Sequence, residues 1–457
     1  MKKRFCSCLA ILLAVSFVFA ADNNSSWVDA YREPASRIIG AALADNFAWD
    51  RLTELCDDIG NRLSGSPGLE EAIRWAQEKM KEDGLENVRA EKVMVPHWVR
   101  GEESLEIIQP FRQKLVVLGL GNSVATPPQG IEGEILVVRS YDELEAMAAQ
   151  VPGRVVVYNV PFTGYAQTVQ YRSNGPSRAA KLGASAVLLR SVGPPGLRTP
   201  HTGAVNYSGA APKIPAAAIP VEDALRFQRM QDRGEHVRVL LKMEERSEPD
   251  AESANVVAEL RGREEPNAVV VLGGHLDSWD VGTGAVDDGG GCLVAWSALR
   301  ILKNLNLRPR RTIRVVLFTN EENGLRGGFG YRDQHRSELS DHVMMLESDS
   351  GVFRPLGFGI TANDRAMGAV KAIASLLKGI AADRISVGGG GADIGPSVQA
   401  AGVPGMSLEV DDSQYFMYHH TPADTPDKLN PTDVSLSVAA VAVMGYVVAD
   451  MPTRLGR

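Results

Sequence analysis

Residues 273–291, GGHLDSWDVGTGAVDDGGG, follow directly on the apolar run NAVVVL and crowd His275, Asp277, Asp280, Asp287 and Asp288 into one short stretch. Carboxylates this close repel one another and lose hydration when enclosed, so the stretch asks for a cation. Three more clusters of the same residue types lie downstream. Glu321 and Glu322 follow TIRVVLFTN, Asp349 follows HVMMLES, and His419 and His420 stand in YHHTPADT, reached by a loop from GMSLEV. Taken singly, a Glu-Glu pair is commonly a solvated surface and a strand-end histidine is commonly structural; four clusters at one sheet edge are a site. Imidazole mixed with carboxylate suits a divalent transition metal, zinc above all, whereas an all-oxygen set suits calcium or magnesium. Two ions account for the carboxylate excess. Two zinc ions carry four positive charges, which three carboxylates and a hydroxide neutralise, and a carboxylate bridging metals roughly 3.5–4 Å apart is the arrangement of two-metal hydrolases.

These clusters meet only if their carriers share a sheet. From Ala254 onward the strand-like runs NAVVVL, TIRVVLFT, HVMMLES, LGFGI and GMSLEV alternate with the helical patterns CLVAWSALRILKNL, NDRAMGAVKAIASLLKG and VSLSVAAVAVMGYVVADM. That alternation predicts an α/β sheet with helices on both faces. In such sheets ligands sit beyond the carboxyl ends of the strands, which is where every cluster falls. Ahead of it, Trp27 to about Met80 is helical, with Ser66 as a cap and Pro67 in the first turn of SPGLEEAIRWAQEKMKEDG. Short strands VRAEKVMV, SLEIIQ and KLVVLGL follow. The segment from about Gly121 to Met243 changes texture, with strands at EILVV, RVVVYNV, KIPAAAIP and HVRVLLKM and a helix–strand pair in SRAAKLGASAVLLR.

The chain has 457 residues, 44% hydrophobic and 23% charged, ordinary globular composition with room for two or three domain-sized units. Lys2, Lys3 and Arg4 precede an uncharged run from Leu9 to Ala20, with small residues Val18 and Ala20 before a cleavage point; residues 1–20 are expected to be a signal peptide, giving a secreted or periplasmic protein. Its removal takes the formal net charge from −8 to about −11, which argues against nucleic acid and anionic membrane surfaces as partners. No later stretch is expected to be long and apolar enough to span a membrane. Cys56 and Cys292 would remain, too few for a disulfide framework, and their pairing stays open.

The combination of H-x-D, GAVDDG, the Glu-Glu pair after a strand, ESD and HTPADT resembles the zinc exopeptidase family of bacterial leucyl aminopeptidases and glutamate carboxypeptidases. PHWVRGEES, PHTG, KIPAAAIPVEDA and GHLDSWDVGTGAVDDGGG are similar to a carboxypeptidase branch of it. The resemblance implies a mixed peptidase sheet (residues 21–120 and 246–457) interrupted by a protease-associated insertion at 121–245, two Zn²⁺ per chain, short-peptide substrates and a homodimer. Carried over residue by residue, it implies His275 and Asp349 on one zinc, Asp287 as the bridge, Glu322 and His420 on the other, and Glu321 as the general base. Neighbouring residues at a strand end point apart, so Glu322 can face a metal while Glu321 faces the attacking water. Asp277 is placed to accept the second imidazole N–H of His275, and Asp424 to do the same for His420; the alternative for both is a loop cap or solvated charge.

His419 stands where the glutamate carboxypeptidases carry a tyrosine that polarises the scissile carbonyl. Adjacent residues of an extended loop diverge, so His419 is expected not to share a zinc with His420 and instead to donate to the developing oxyanion, a role worth roughly 3–4 kcal/mol; a packing role is the alternative, with Tyr418 or Tyr415 next in line. Carboxypeptidase or dipeptidase action is favoured over aminopeptidase action by the closer resemblance alone. Arginines of the loops are candidates for holding a free carboxylate and Asp393 for holding a free amine. Two other classes compete: a receptor on a dead peptidase scaffold, which should have lost ligands that are all present here, and a single-zinc acyl-transfer enzyme resembling glutaminyl cyclase. The insertion is expected to lid the cleft and narrow it to short peptides.

Overall fold

A computed structural model of the protein describes residues 26–209 and 211–456; the expected signal peptide lies outside them. Eight strands form a mixed sheet in the order Glu86–Val99, Arg246–Leu260, Arg311–Phe318, Glu265–His275, His342–Glu347, Gly405–Val410, Pro355–Thr361 and Arg384–Val387. The middle four are parallel, and their register sets His275 beside Phe318 and Gly273 beside Glu347, so the chain leaves these strands at one edge. Every residue of Arg311–Phe318 is buried, as a central parallel strand covered on both faces requires. Alternate side chains divide between two cores. Val270, Leu272, Ile313 and Val315 face one cluster, and Val269, Val271, Val316 and Phe318 face the other.

Helices Gly290–Asn304 and Pro431–Asp450 pack against each other and across the first face. The second of these corrects the expectation about membrane-length segments: it has 20 residues, and an 18-residue window of it has a mean hydropathy of 1.7, long and apolar enough by length and composition to cross a bilayer. Val434 through Asp450 are nevertheless all buried within the protein, which explains a helix apolar on every side. Ser66 caps helix Pro67–Glu82 by accepting from the Leu69 amide at 3.3 Å, with Pro67 in the first turn as expected. Cys56 and Cys292 are both buried and unpaired.

A second eight-stranded sheet holds Glu103–Gln109, Gln113–Leu115, Leu118–Gly119, Ile131–Val138, Val155–Tyr158, Ala186–Arg190, Ala216–Ile219 and Arg238–Met243. It begins at Glu103, ahead of the expected boundary at 121, because SLEIIQ pairs antiparallel with Arg238–Met243. The chain passes between the sheets twice, after Val99 and after Met243, and Arg100 stands at the first crossing. Its guanidinium grips both oxygens of Asp280 at 2.7 and 2.8 Å, Glu103 at 2.7 Å and the Gly119 carbonyl at 2.7 Å, tying both sheets to the acidic stretch.

Candidate active site

At the edge where the parallel strands end, the five expected ligands converge. His275 Nε2 lies 3.1 Å from Asp287 Oδ1 and 3.6 Å from Asp349 Oδ1. His420 Nε2 lies 3.3 Å from Asp287 Oδ2 and 3.0 Å from Glu322 Oε2. Asp287 thus turns one oxygen toward each half. Two groupings have ligand atoms within 4.8 Å of one another, His275–Asp287–Asp349 and Asp287–His419–His420, and Asp287 belongs to both. Three buried oxygens here, Asp287 Oδ2, Glu322 Oε1 and Asp349 Oδ1, have no hydrogen-bond donor. Unsatisfied buried carboxylates facing imidazoles fit a pair of divalent cations sharing Asp287. Burial and the surrounding carboxylates hold Glu321 well above the usual carboxylate range, a cost that bound cations would relieve.

The backbones of these residues are held by acids that do not themselves face the imidazoles. Asp277 accepts from the Glu321 amide at 3.1 Å and the Glu322 amide at 3.3 Å. Asp288 accepts from the His275 amide at 3.1 Å. Asp424 accepts from the Val286 amide at 2.6 Å and the Asp287 amide at 3.2 Å. These contacts correct two expectations. His275 Nδ1 meets the main-chain carbonyl of Asp277 at 2.9 Å, whereas the Asp277 carboxylate stands 3.8 Å away. His420 Nδ1 meets the Thr202 carbonyl at 3.2 Å instead of Asp424. In both cases the residue lies just past the end of a strand or helix, so sequence spacing does not set the side-chain direction. Glycines make room for this packing: a Cβ on Gly274 would meet the Asp288 carboxylate, and one on Gly291 would meet Asp288 and the Ser348 carbonyl.

His419 and His420 do not diverge. Helix Tyr415–Tyr418 ends at His419, and His420 then takes a left-handed φ of 60°. The reversal stacks the two rings, centroids 3.5 Å apart and planes 19° apart. His419 Nε2 is 3.6 Å from Asp287 Oδ2, its Nδ1 is buried without a partner, and its pKa is pushed well below the ordinary histidine value by burial and by His420. Tyr165 and Tyr415 pack on it, each with centroids at 5.1 Å. Of the two fallback tyrosines, Tyr415 is buried against the cleft, while the Tyr418 hydroxyl turns out to Gln414 at 3.1 Å.

The site opens into a cleft of about 540 Å³ lined from both sheets. The first sheet's side supplies Asp287, Glu321, Glu322, Asp349, Tyr415, Phe416, His419 and His420; the second sheet's segment supplies Tyr165, Arg172, Ser173, Ala204 and Asn206. Arg172 is the cation of this lining. Its Nη1 donates to the Thr202 carbonyl at 3.3 Å and lies 3.3 Å from His420 Nδ1, its Nη2 donates to the Tyr165 hydroxyl at 2.8 Å, and its Nε is buried without a partner. Among the described residues no carboxylate pairs with it. Asp393 is fully buried outside this lining, where burial and then Glu347 and Glu321 push its carboxyl well up, so it does not face the cleft as a receptor for a free amine. Sequence reading missed Tyr165, Arg172 and Thr202. PHTG stood out, yet nothing in it marks a main-chain carbonyl as the functional atom.

Residues 255–444 match the family described as peptidase family M28. Carboxypeptidase Q from Homo sapiens is 45% identical over 93% of this chain and 90% of its own length, and that from Xenopus laevis is 44% identical over 94% and 92%. A solved peptidase M28 precursor from Shewanella amazonensis superposes with a TM-score of 0.88 at 35% identity, covering 94% of this chain and 99% of that one. A zinc aminopeptidase from Bacillus subtilis shares the fold at 18% identity, with a TM-score of 0.68 over 90% of this chain and 96% of that one.

Proposed function

Because this chain belongs to peptidase family M28, we propose that it is a secreted zinc-dependent exopeptidase that hydrolyses short peptides from a free carboxyl end. The observation that carries this reading is the placement of Asp287, with one oxygen toward His275 and the other toward His420, whose Nε2 also meets Glu322. His275, Asp349 and one oxygen of Asp287 would hold one zinc; Glu322, His420 and the other oxygen would hold the second. The ions, when bound, supply Lewis acidity that lowers the pKa of the attacking water and polarises the scissile carbonyl. Glu321, one residue from a ligand and at the rim of the cleft, takes the proton of that water and returns it to the leaving amine. His419, neutral because it is buried, presents an N–H toward the developing oxyanion.

Arg172 favours carboxypeptidase or dipeptidase action over the aminopeptidase alternative. A buried guanidinium without a carboxylate partner is costly, and a substrate's terminal carboxylate would pair with it. The cover that the second sheet's segment gives the cleft fits a protease-associated insertion that excludes longer chains. The deciding experiment combines metal analysis of the purified protein with hydrolysis of dipeptides whose termini are free, amino-blocked or carboxyl-blocked. Chelator-sensitive cleavage of free-carboxyl substrates with two zinc ions per chain is expected; a metal-loaded protein that cleaves none of the panel ends the reading. Cleavage of carboxyl-blocked but not amino-blocked dipeptides turns it to the aminopeptidase.

A further inference from the structure

The second sheet does more than cover the cleft. Its loop Pro200–Gly203 grips the two-residue segment that carries His419 and His420. The Thr202 amide donates to the His420 carbonyl at 3.0 Å, and the Thr202 carbonyl in turn meets His420 Nδ1 at 3.2 Å; Arg172 Nη1, which donates to the same carbonyl at 3.3 Å, lies 3.3 Å from that nitrogen. His201, buried beside them, faces the His419 main chain. We infer that this loop is a positioning element of the metal centre: the Thr202 carbonyl fixes the ring of His420 so that Nε2 is directed at Asp287 and Glu322. An imidazole whose Nδ1–H is given to a carbonyl keeps its lone pair on Nε2, the tautomer a metal ligand needs. The inference rests on the metal-dependent reading above.

The loop is itself braced, as a positioning element must be. The Thr202 hydroxyl donates to the Gly119 carbonyl at 2.8 Å and lies 3.4 Å from Arg100. The Gly121 amide donates to the Gly203 carbonyl at 3.1 Å. Gly203 has a φ of 128°, a conformation side chains disfavour, and an added Cβ there would strike the Arg172 guanidinium. Trp279 packs edge-on against the clamped ring at 5.7 Å.

The test uses the full chain with its metals removed and restored. Metal-free wild type, Thr202→Val, Thr202→Ser and Gly203→Ala are titrated with zinc against a chromophoric chelator, their cobalt-substituted forms are examined in the visible, and their metal-free thermal unfolding is compared. Thr202→Val and Gly203→Ala should weaken one of the two ions by about 10–100-fold and change the cobalt spectrum, as loss of an outer partner of a ligand does. Thr202→Ser, which keeps the hydroxyl bond to Gly119, should bind both ions as wild type does. Unchanged affinity and spectrum in folded Thr202→Val overturn the inference, and so does an equal weakening of both ions that follows a fall in metal-free stability. If Gly203→Ala does not fold, the valine and serine pair decides alone. Wild-type protein that takes up no metal overturns the proposed function itself, whereas two ions bound with equal affinity in wild type and in Thr202→Val overturn only the role of the loop.

Discussion

Asp277→Asn should separate the acid that positions from the acids that bind. The Asp277 carboxylate is fully buried and accepts two main-chain N–H bonds, from Glu321 at 3.1 Å and from Glu322 at 3.3 Å, with Ser64 Oγ at 3.4 Å from the second oxygen. Asparagine keeps the size but offers one acceptor; its NH₂ faces an amide N–H, donor against donor. One charge-assisted bond worth about 1.5–3 kcal/mol is lost, and the peptide carrying both the base and a ligand swings away. If that loss appears in the transition state, kcat/KM falls by about tenfold to 150-fold, and the zinc held by Glu322 weakens while that held by His275 and Asp349 does not. The assay is dipeptide hydrolysis at saturating zinc, alongside metal content after dialysis against graded chelator. Asp424→Asn is the comparison, because it releases the Asp287 amide and should weaken both ions together. Should Asp277→Asn retain both ions and wild-type kcat/KM, the carboxylate does not position the glutamates and the argument fails.

Glu321→Gln should keep both metals and lose roughly 10²–10⁴ in turnover, the range of a general base, while Glu322→Gln should weaken one metal; the opposite pattern in metal analysis and kinetics reverses the two roles. His420→Ala should lose a metal, and His419→Ala should retain both and lose roughly 10²–10³ in kcat; metal loss in His419→Ala would make it a ligand instead, and full activity would pass the oxyanion role to Tyr415. At the crossing between the sheets, burial and then the neighbouring Glu103 carboxylate push Glu245 from 4.5 up to about 8. The folded state therefore binds this proton more tightly than the unfolded state, and the stability it contributes is full below pH 4.5 and lost as pH rises through about 8. Glu245→Gln should raise Tm relative to wild type at pH 8.5 and leave it unchanged at pH 4, read by calorimetry; an equal change at both pH values refutes the assignment.

The parallel core was legible because its strands are short continuous apolar runs ending in polar residues, and helices such as Gly290–Asn304 alternate with them. Strand Arg246–Leu260 was not, since its first half, RSEPDAES, is polar and largely exposed, contains Pro249, and gains its extended shape by pairing with Glu86–Val99. Helix Val221–Asp232 was missed for another reason: it follows Pro220 directly, between the two strand-like runs KIPAAAIP and HVRVLLKM, and was left unassigned. Side-chain direction was least legible. Strand-like alternation is a sound rule only while the chain stays extended, and both Asp277 and His420 lie just past the end of a regular element. A left-handed residue at 420 was enough to stack two histidines that alternation would have parted.

That distinction also answers why the stretch 273–291 is so acidic. Cation charge alone does not require Asp277, Asp280 and Asp288, since only Asp287 of that stretch faces the imidazoles. The other three are each matched to donors: Asp280 to the Arg100 guanidinium, Asp288 to the amides of His275 and Gly291, and Asp277 to the amides of Glu321 and Glu322. A metal ligand must keep its lone pair directed at a fixed point, and a loop leaving a sheet edge has spare amides but no strand partner to hold them. Carboxylates fill that need better than neutral acceptors, because a buried charge-assisted bond is shorter and stronger and each of two oxygens can take a different amide. The pattern recurs: Asp288 holds His275, Asp424 holds Asp287, and Asp277 holds Glu322, so the main chain of each of these residues is fixed by a carboxylate. His420 differs from these residues in being oriented by a carbonyl from the other sheet's segment, so the Glu322–His420 half of the site is the one that depends on the two sheets staying together.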